Sequence, residues 1–404
     1  MMDRMSACVE EPAHRIPVKG EYEVVVAGAG AGGLAAALAA ARLGRRVLLV
    51  DKAILLGGLA TQGLINWLEP YCDGKGDRLL GGIPWELFNL ALRYGYDSLP
   101  DNWGGTGNGP KSGRLASWFS PEIFMLSVEK LLLDAGVELL LDTRCVFPLM
   151  EDKRCRGVIT ESVEGRCAIR ANMVIDATGS CELFAKAGAP TVNGENYLAI
   201  RAYGTDLRSI EEAAQKGRAY LARRRLRCGA TLSGKGHPQG VPLVAGTTAR
   251  EVTDFVLASH RMLFEEIVSQ DRLERDVITL PHMAQLRTIR HIAGARTFTG
   301  EEDHVFREDS IGAIPDFYYP GRAYELPYGC LYAENIDGLL TCGRTISASG
   351  WGWHASRVLG AAFLTGQAAG TAAHLALQQG CAPQELPIAL LQDRLERDGV
   401  RLHI

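Results

Sequence analysis

The sequence predicts an α/β protein that combines a parallel sheet, an antiparallel β-meander and an inserted α+β unit. Short valine- and leucine-rich strands alternate with helix-like stretches, and glycine-rich turns follow the strand ends, which is typical of a parallel sheet. Apolar and polar residues alternate between turn signals over 136–178, which predicts the meander. With 404 residues the chain is longer than one hydrophobic core usually supports, so two domains are expected.

The first element is the stretch EYEVVVAGAGAGGLAAALAAARLGRRVLLVDK at 21–52, which predicts a strand, a turn, a helix and a second strand. Gly28, Gly30 and Gly33 have the G-x-G-x-x-G spacing, which permits a tight turn, close approach to a pyrophosphate and close helix–strand packing. From Ala31 the helix N-terminus offers free N–H groups and a partial positive charge to phosphates. The stretch predicts a Rossmann-like adenine dinucleotide site.

An acidic residue and a second glycine turn follow this unit. A carboxylate at the end of the second strand binds ribose hydroxyls and repels a 2′-phosphate. The sequence KAILLGGLATQG at 52–63 then brings the backbone close to the ligand again, which an NAD-only domain does not need. The predicted contacts here are Asp51, Lys52, Gly57, Gly58, Ala60 and Thr61.

Two further strands end in small residues. RANMVIDATGS at 170–180 ends in an Ala-Thr-Gly turn, and NIDGLLTCGR at 335–344 ends in Gly-Arg. The four motifs in this order resemble the FAD-binding domain of the glutathione-reductase-like superfamily. More closely, the chain resembles the FAD-dependent oxidoreductase family, near the fumarate reductase-type flavoproteins. The predicted contacts in these two turns are Ala177, Thr178, Gly179, Gly343 and Arg344.

The resemblance implies FAD as the cofactor and assigns further contacts. It implies a backbone contact from Val146 to adenine, and a cofactor contact rather than a solvated side chain for Arg344. It also implies that the helix-like stretch 356–380 points its N-terminus at the flavin pyrimidine ring, with Arg357 and Val358 at that end. A helix N-terminus stabilises negative charge on the reduced ring and raises its reduction potential.

The domain organisation follows from where these motifs lie. Dinucleotide signals are absent from 190–325, which we interpret as a substrate or cap domain. RAYLARRRLRCG at 218–229 carries five arginines on a helix-like stretch, which predicts either a solvated helix face or an anionic partner. The predicted boundaries are a tail at 1–20, a discontinuous FAD-binding domain at 21–189 and 326–404, and a loop-rich excursion at 66–118.

Candidate substrate residues lie beside the flavin motifs. Trp351, Trp353 and His354 precede the last long helix, where a substrate would meet the ring. His354 would transfer a proton or bind a substrate oxygen, unless it caps the helix or faces solvent. Arg287 and Arg290 are three residues apart, so a helix would place both guanidiniums on one face to grip a carboxylate. The alternative is solvated arginines paired with the acidic residues that follow.

The sequence therefore predicts an enzyme that exchanges a hydride between flavin N5 and a small carboxylate or carbonyl compound. The alternatives are a flavoprotein with isomerase- or lyase-like chemistry and a dinucleotide-binding subunit without turnover. Only one dinucleotide-binding fingerprint is present, so the sequence indicates no separate NAD(P)H domain. The electron partner is then another protein, a quinone, transiently bound NAD(P)H or oxygen. A homo-oligomer remains open as well.

Composition excludes other classes. The net charge of −4 gives no general attraction to nucleic acid, and the apolar stretches are too short or too charged for a membrane span. The ten cysteines form no CxxC pair, so neither a metal site nor a redox dithiol is indicated. The first twenty residues are too charged for a signal peptide, which predicts reduced thiols in a cytoplasmic protein.

Overall fold

The computed structural model describes residues 9, 11–13, 15–75, 77–96, 98–99 and 113–404. Parts of the predicted tail (1–8, 10 and 14) and of the predicted loop-rich excursion (76, 97 and 100–112) lie outside the described residues. The helices are α1 Ala31–Arg42, α2 Gly82–Arg93, α3 Pro121–Asp134, α4 Glu182–Lys186, α5 Leu207–Lys216, α6 Ala249–Val268, α7 Gly350–Ser356, α8 Leu359–Gln379 and α9 Ile388–Arg397.

The strands belong to one large sheet and several small ones. The first eight are β1 Val18–Ala27, β2 Val47–Val50, β3 Trp67–Leu68, β4 Ser117–Trp118, β5 Glu138–Leu140, β6 Arg144–Glu151, β7 Arg154–Ser162 and β8 Gly165–Asp176. The others are β9 Thr191–Asn193, β10 Ala199–Asp206, β11 Arg224–Gly229, β12 Arg275–Thr279, β13 Arg290–Ile292, β14 Ser310–Pro315, β15 Ala323–Pro327 and β16 Leu339–Thr341.

The large sheet carries the strand order β5-β2-β1-β8-β7-β6, and β16 pairs with β8. β5, β2, β1, β8 and β16 are parallel, whereas β7 and β6 continue from β8 as an antiparallel meander. All four residues of β2 are buried, as expected for a parallel strand covered on both faces. The predicted α/β class, its parallel sheet and its meander are confirmed.

Two small-residue helices pack face to face on this sheet. A Cβ on Gly366 of α8 would lie 2.1 Å from the carbonyl oxygen of Gly32 in α1, and one on Gly370 would lie 2.2 Å from that of Ala36. Glycine at these points lets the two backbones touch. α8 ends at Gly380 in the left-handed conformation, as its sequence predicts. The chain's last long helix is thereby joined to its first.

The region between β8 and β14 contains a separate antiparallel sheet of order β11-β10-β12. Ile200, Ala202 and Leu226 pack with Leu263 of α6, so this face of the sheet is apolar. The arginine-rich stretch 218–229 is not a helix, because it forms a short 3-10 turn and then β11. Within the strand the buried Leu226 lies between the exposed Arg225 and Arg227, so the two arginines share one face of the sheet and Leu226 lies on the other.

Two predicted irregular segments contain regular structure. β1 begins at Val18, inside the predicted tail. α2 occupies 82–93 of the segment expected to be loop-rich, because its Leu87 and Phe88 are buried and Ile83 N–H donates to Gln367 Oε1 of α8 at 2.8 Å. None of the helices in the described part of the chain has the length and apolarity to cross a membrane.

Candidate active site

The first glycine turn joins β1 to α1, and glycine is present at each of its three motif positions for a different steric reason. Gly28 has a φ of +109°, and a Cβ there would lie 2.3 Å from the carbonyl oxygen of Ala177. A Cβ on Gly33 would lie 1.9 Å from the carbonyl oxygen of Gly28. Gly30 is the N-cap of α1, which starts at Ala31, and a Cβ on Gly30 would meet no atom within 4 Å. The helix N-terminus therefore faces open space, as a phosphate site requires.

Asp51 lies at the carboxyl end of β2 in an open cleft. Its Oδ2 accepts a hydrogen bond from Ala29 N–H at 2.6 Å, and its Oδ1 accepts one from Ala53 N–H at 2.8 Å. Burial raises the pKa of Asp51, against the lowering effect of these two bonds. Each carboxylate oxygen keeps a second lone pair for a ribose hydroxyl. The cleft is also lined by Gly28, Lys52, Thr143, Cys145, Thr178 and Glu182.

The strand β6 forms one side of this cleft. Cys145 lines it directly, whereas the next residue, Val146, is half-buried in the strand. The carbonyl oxygen of Val146 accepts a hydrogen bond from Lys186 Nζ at 2.6 Å. The contact from Val146 to adenine stays a prediction, and its neighbour Cys145 is the one of these two residues that lines the cleft.

The second glycine turn packs onto the first. Gly57 N–H donates to the carbonyl oxygen of Ala29 at 2.8 Å. Gly58 has a φ of +53°, and a Cβ there would lie 3.1 Å from a backbone atom of the first turn. Ala60 and Thr61 are buried beneath the turn, and the Thr61 hydroxyl donates back to a carbonyl of the same loop. The two turns together present backbone, without side chains, toward the open space at α1.

The Ala-Thr-Gly turn at 177–179 is held by a buried carboxylate. Asp176 Oδ1 accepts from the Thr178 hydroxyl at 2.6 Å and from its N–H at 3.1 Å. Its Oδ2 accepts from the N–H groups of Leu183 and Phe184 at 2.9 and 3.2 Å. Burial raises the pKa of Asp176, and these bonds oppose the rise. Asp176 positions Thr178 at the dinucleotide cleft.

The Gly-Arg motif after β16 connects this turn to the inserted region. Arg344 Nε donates to the carbonyl oxygen of Gly179 at 2.6 Å, and Nη1 donates to that of Leu286 at 2.6 Å. Burial lowers the pKa of Arg344 to about 10. Gly343 has a φ of +70°, and its N–H donates to Thr365 Oγ1 of α8 at 2.9 Å. Arg344 is therefore anchored inside the protein and is not a solvated side chain.

Both tryptophans of α7 use their indole N–H groups within the protein. Trp353 Nε1 donates to the carbonyl oxygen of Arg344 at 2.7 Å, and its side chain is buried. Trp351 Nε1 donates to Asp316 Oδ2, and its ring packs among the aromatic residues at 317–319. Neither indole N–H is available to a ligand. Trp353 instead holds the Arg344 backbone in place.

Unpartnered polar atoms concentrate where segment 69–71 meets α7 and the start of α8. Among the described residues, buried atoms without a hydrogen-bond partner at this junction are Glu69 Oε2, Tyr71 Oη, His354 Nδ1, Ser356 Oγ and Arg357 Nε. Each such group costs about 1–3 kcal/mol when it stays unsatisfied. Their concentration at one place indicates that ligand atoms complete this cluster.

The charge states in the cluster follow from burial. Burial, and then the positive charges of Arg357 and Arg287, lower the pKa of His354 to about 4. Burial and Arg287 lower the pKa of Arg357 to about 10. Burial raises the pKa of Glu69 to about 7, although Arg357 and Arg201 oppose the rise. At neutral pH His354 is uncharged, whereas Glu69 is close to half-protonated.

Arginines cover the face of the β10–β11 pair that is turned away from α6. Arg201 and Arg227 are directly opposite in register, and the Arg225 guanidinium lies 3.7 Å from the Trp118 ring centroid. Arg287 donates to two backbone carbonyls after β11, both at 3.2 Å. Burial and the neighbouring arginines lower the pKa of Arg201. Like charges opposite one another destabilise a strand pair, so this face favours an anionic ligand.

Arg287 and Arg290 do not lie on a helix, so the predicted shared helix face is wrong, whereas their contact with a substrate stays a prediction. Asn196 Oδ1 accepts the N–H groups of Arg287 and Thr288 at 2.6 and 3.0 Å, which satisfies them without a helix. Arg290 begins β13, and its Nε donates to the carbonyl oxygen of Ser180 at 3.0 Å. Arg287 alone remains with the cluster around His354.

The sequence motifs missed three residues of the site. Asp176 directly precedes the Ala-Thr-Gly turn, so its position was a usable signal. Glu69 is a single acid in an irregular segment, and Arg201 is one polar residue in an alternating strand, so neither carries a motif. Within the described residues, no group of three or more His, Cys, Asp or Glu side chains is placed to hold a metal ion.

The site fits a flavin dinucleotide rather than a nicotinamide one. The open space at Gly30 suits a pyrophosphate, and the free lone pairs of Asp51 suit a ribose. Beyond the first glycine turn, the second glycine turn and the unpartnered Arg357 Nε at the start of α8 provide further polar groups. These groups suit the flavin end of the cofactor.

The match to a protein-family model agrees with a flavin site. A family model described as FAD dependent oxidoreductase matches residues 23–228 and 307–395. A geranylgeranyl bacteriochlorophyll reductase-like protein from Thermoplasma acidophilum is similar over 95% of this chain and 85% of its own, with 14% identity and a TM-score of 0.45. For p-nitrophenol 4-monooxygenase from Pseudomonas putida DLL-E4 the coverages are 94% and 84%, the identity 12% and the TM-score 0.47.

A third structure, 3-ketosteroid-delta4-(5alpha)-dehydrogenase from Rhodococcus jostii RHA1, has 16% identity over 88% of this chain and 97% of its own, with a TM-score of 0.42. Similarities at these scores bear on neither substrate nor reaction. No curated protein sequence matches the chain. Because the family model spans most of the sequence and includes all four cofactor motifs, the chain belongs to the FAD-dependent oxidoreductase family and is an enzyme that uses FAD.

Proposed function

We propose that the enzyme oxidises or reduces a small organic anion beside the flavin, either a carboxylate or a carbonyl compound that also bears a negative charge. The observation that carries this proposal is the cluster of unpartnered buried atoms around His354, which lies next to an excess of arginines. Bound FAD supplies the redox chemistry by exchanging a hydride at N5. Binding, orientation and protonation of the substrate are then the tasks of the chain's own residues.

The cofactor is proposed to lie across the carboxyl ends of the parallel strands. Gly30 and the N-terminus of α1 would hold the pyrophosphate, and Asp51 the adenosine ribose. Arg344 and Arg357, with Val358 as the N-cap of α8, would hold the flavin end. This assignment supports the proposed division into a FAD-binding domain at 21–189 and 326–404 and a substrate domain at 190–325.

The substrate is proposed to lie between this end and the arginine-bearing face of β10–β11. Arg201, Arg287 and Arg357 lie near one another and near one carboxylate, Glu69, so the region has an excess of positive charge. That excess favours an anion. His354 is uncharged at neutral pH, so we assign it a hydrogen bond to a substrate oxygen rather than the role of a cationic acid.

Anaerobic reduction of the purified holoenzyme tests the proposal. The FAD absorption band is followed while small carboxylates and carbonyl compounds, in their reduced forms, are added one at a time. We expect bleaching with members of the anionic group and none with neutral compounds of the same size. Bleaching only by neutral compounds would contradict the proposal. Product formation without bleaching at any time would instead support isomerase- or lyase-like chemistry.

An arginine variant tests the substrate side separately. Arg287→Ala is expected to raise KM for the bleaching substrate at least tenfold while the FAD content stays unchanged, because a charged hydrogen bond contributes about 1.5–3 kcal/mol. Arg250→Ala is the control, since Arg250 is exposed and paired with Asp254 on α6. An unchanged KM in Arg287→Ala would remove this residue from the substrate site.

We also propose a reducing, cytoplasmic location. The nine cysteines in the described part of the chain are all free, which supports thiols that stay reduced. Mass spectrometry after alkylation of freshly lysed cells should find them unpaired, and disulfides in that sample would overturn the assignment.

A further inference from the structure

The small sheet β11-β10-β12 separates two chemically different surfaces. One face carries Arg201 and Arg227 and belongs to the proposed substrate site. The opposite face carries Ile200 and Leu226 and packs on α6. The apolar face is incompletely covered, because α6 and segment 281–285 leave a cleft between them.

This α6 cleft is defined by Ile200, Phe255, Ser259, His260, His282 and Met283. Its volume is about 250 Å³, which exceeds the roughly 150 Å³ apolar cavity that holds benzene in an engineered protein. Phe255 and Ser259 are four residues apart on α6, with His260 beside them, so one helix face forms this wall. The cleft is large enough for a two-ring molecule.

Ser259 supplies a hydrogen-bonding group that lacks a partner. Its side chain is 3% exposed, and its Oγ makes no hydrogen bond within the described residues. Several helix hydroxyls in this protein bond to the carbonyl four residues earlier, as Thr253 does in α6 with Ala249 at 2.7 Å and Ser127 does in α3 with Ile123 at 2.7 Å. A buried hydroxyl that does not bond back to its own helix and lines a cleft is available to a ligand.

The residues that line the α6 cleft set the class of ligand. Among those that the structure describes, none is Asp, Glu, Lys or Arg, so the cleft has no fixed charge to pair with an ion. We propose that the α6 cleft binds a neutral, mostly apolar small molecule of one or two rings, with one hydrogen-bonding oxygen held by Ser259. This ligand differs in chemistry from the anion proposed for the flavin side.

The wall of the α6 cleft is bonded to the second glycine turn. Gln285, which also lines the cleft, donates through Nε2 to the carbonyl oxygens of Gly63 at 2.6 Å and Arg201 at 2.8 Å. His282 N–H donates to the carbonyl oxygen of Gln62 at 2.9 Å. A ligand in the cleft would thus contact a segment that leads directly to the cofactor turn.

Binding of 2-naphthol to the oxidised holoenzyme tests this inference, because 2-naphthol is neutral at pH 7 and has two rings and one hydroxyl. Its fluorescence is titrated with the wild type and three variants. We expect saturable binding at one site. Ser259→Ala should weaken it about three- to tenfold, as loss of one hydrogen bond does. Val256→Trp, which fills the cleft, should abolish it, and Thr253→Ala on the same helix should leave it unchanged.

Flavin absorption and circular dichroism establish that each variant is folded and loaded. Loss of binding in Val256→Trp with full FAD content supports the site. Should that variant fail to fold, Ser259→Ala against Thr253→Ala decides the matter. The inference is overturned by the absence of saturable binding to the wild type. It is equally overturned by binding that both cleft variants leave unchanged, which would place 2-naphthol over the flavin instead.

Discussion

The buried carboxyl of Glu69 makes the protein's stability depend on pH in a way that one substitution removes. Burial raises its pKa from the ordinary value of 4.5 to about 7 in the folded protein. At roughly 1.4 kcal/mol for each pH unit, this difference is worth about 3 kcal/mol. Glu69→Gln keeps the shape of the side chain and removes the ionisation.

The direction follows from linkage. An acid whose pKa is raised on folding binds its proton more tightly in the folded state, so its stabilising contribution is fully present below pH 4.5. That contribution is lost as the pH rises through 7. The wild type should therefore lose about 3 kcal/mol of unfolding free energy relative to Glu69→Gln between pH 5 and pH 8.5.

Urea unfolding of the oxidised holoenzyme, at several pH values where refolding is reversible, measures this difference. Glu122→Gln is the matched control with the opposite sign. Bonds to Arg223 lower the pKa of Glu122 despite partial burial, so its contribution is present above pH 4.5 and is lost in acid. The difference in unfolding free energy between the wild type and Glu69→Gln should change over this pH range. A constant difference would refute the assignment of Glu69 as a buried carboxyl with a raised pKa.

Three further predictions concern the first glycine turn and the cluster at α7. Gly33→Ala should lower the thermal stability even without FAD, because its Cβ would lie 1.9 Å from the carbonyl oxygen of Gly28. Gly30→Ala should leave that stability unchanged, since its Cβ meets no protein atom within 4 Å. It should lower FAD affinity at least tenfold, because the Cβ enters the space proposed for the pyrophosphate. Equal affinity of the variant and the wild type in a fluorescence titration would contradict this position of the pyrophosphate. His354→Ala should retain FAD and lose most turnover. The wild-type turnover should show no transition of His354 near pH 6.5, because burial keeps this histidine uncharged there.

Sequence patterns predicted the parts of the fold that depend on local rules. The strand–turn–helix unit around Gly28, the meander and the long helix ending at Gly380 all follow from steric or periodic requirements that neighbouring residues impose. The same is true of the cofactor turns, where only small residues let backbone approach backbone. These elements are confirmed in the structure, and the FAD assignment agrees with the family match.

The parts that sequence reasoning missed depend on contacts between distant residues. A helix under Arg287 and Arg290 was a reasonable inference from their spacing, but the side chain of Asn196, some ninety residues earlier, satisfies the backbone there. Nothing in the sequence distinguishes Glu69 from other acidic residues in loops. Its raised pKa results from burial beside Arg357 in the folded protein. No sequence pattern indicated that the Trp353 N–H donates to the Arg344 carbonyl, and the contact of Trp353 with a substrate stays a prediction.

The close contact between α1 and α8 bears on the order in which the protein assembles. Gly32 and Gly366 touch across more than three hundred residues, so the surface of α1 is uncovered until α8 has been synthesised. Such distant contacts form slowly, and the exposed alanine face is prone to association in the meantime. Since Val358 and the N-terminus of α8 are proposed to contact the flavin, we expect the nascent chain to acquire FAD only after α8 has been synthesised.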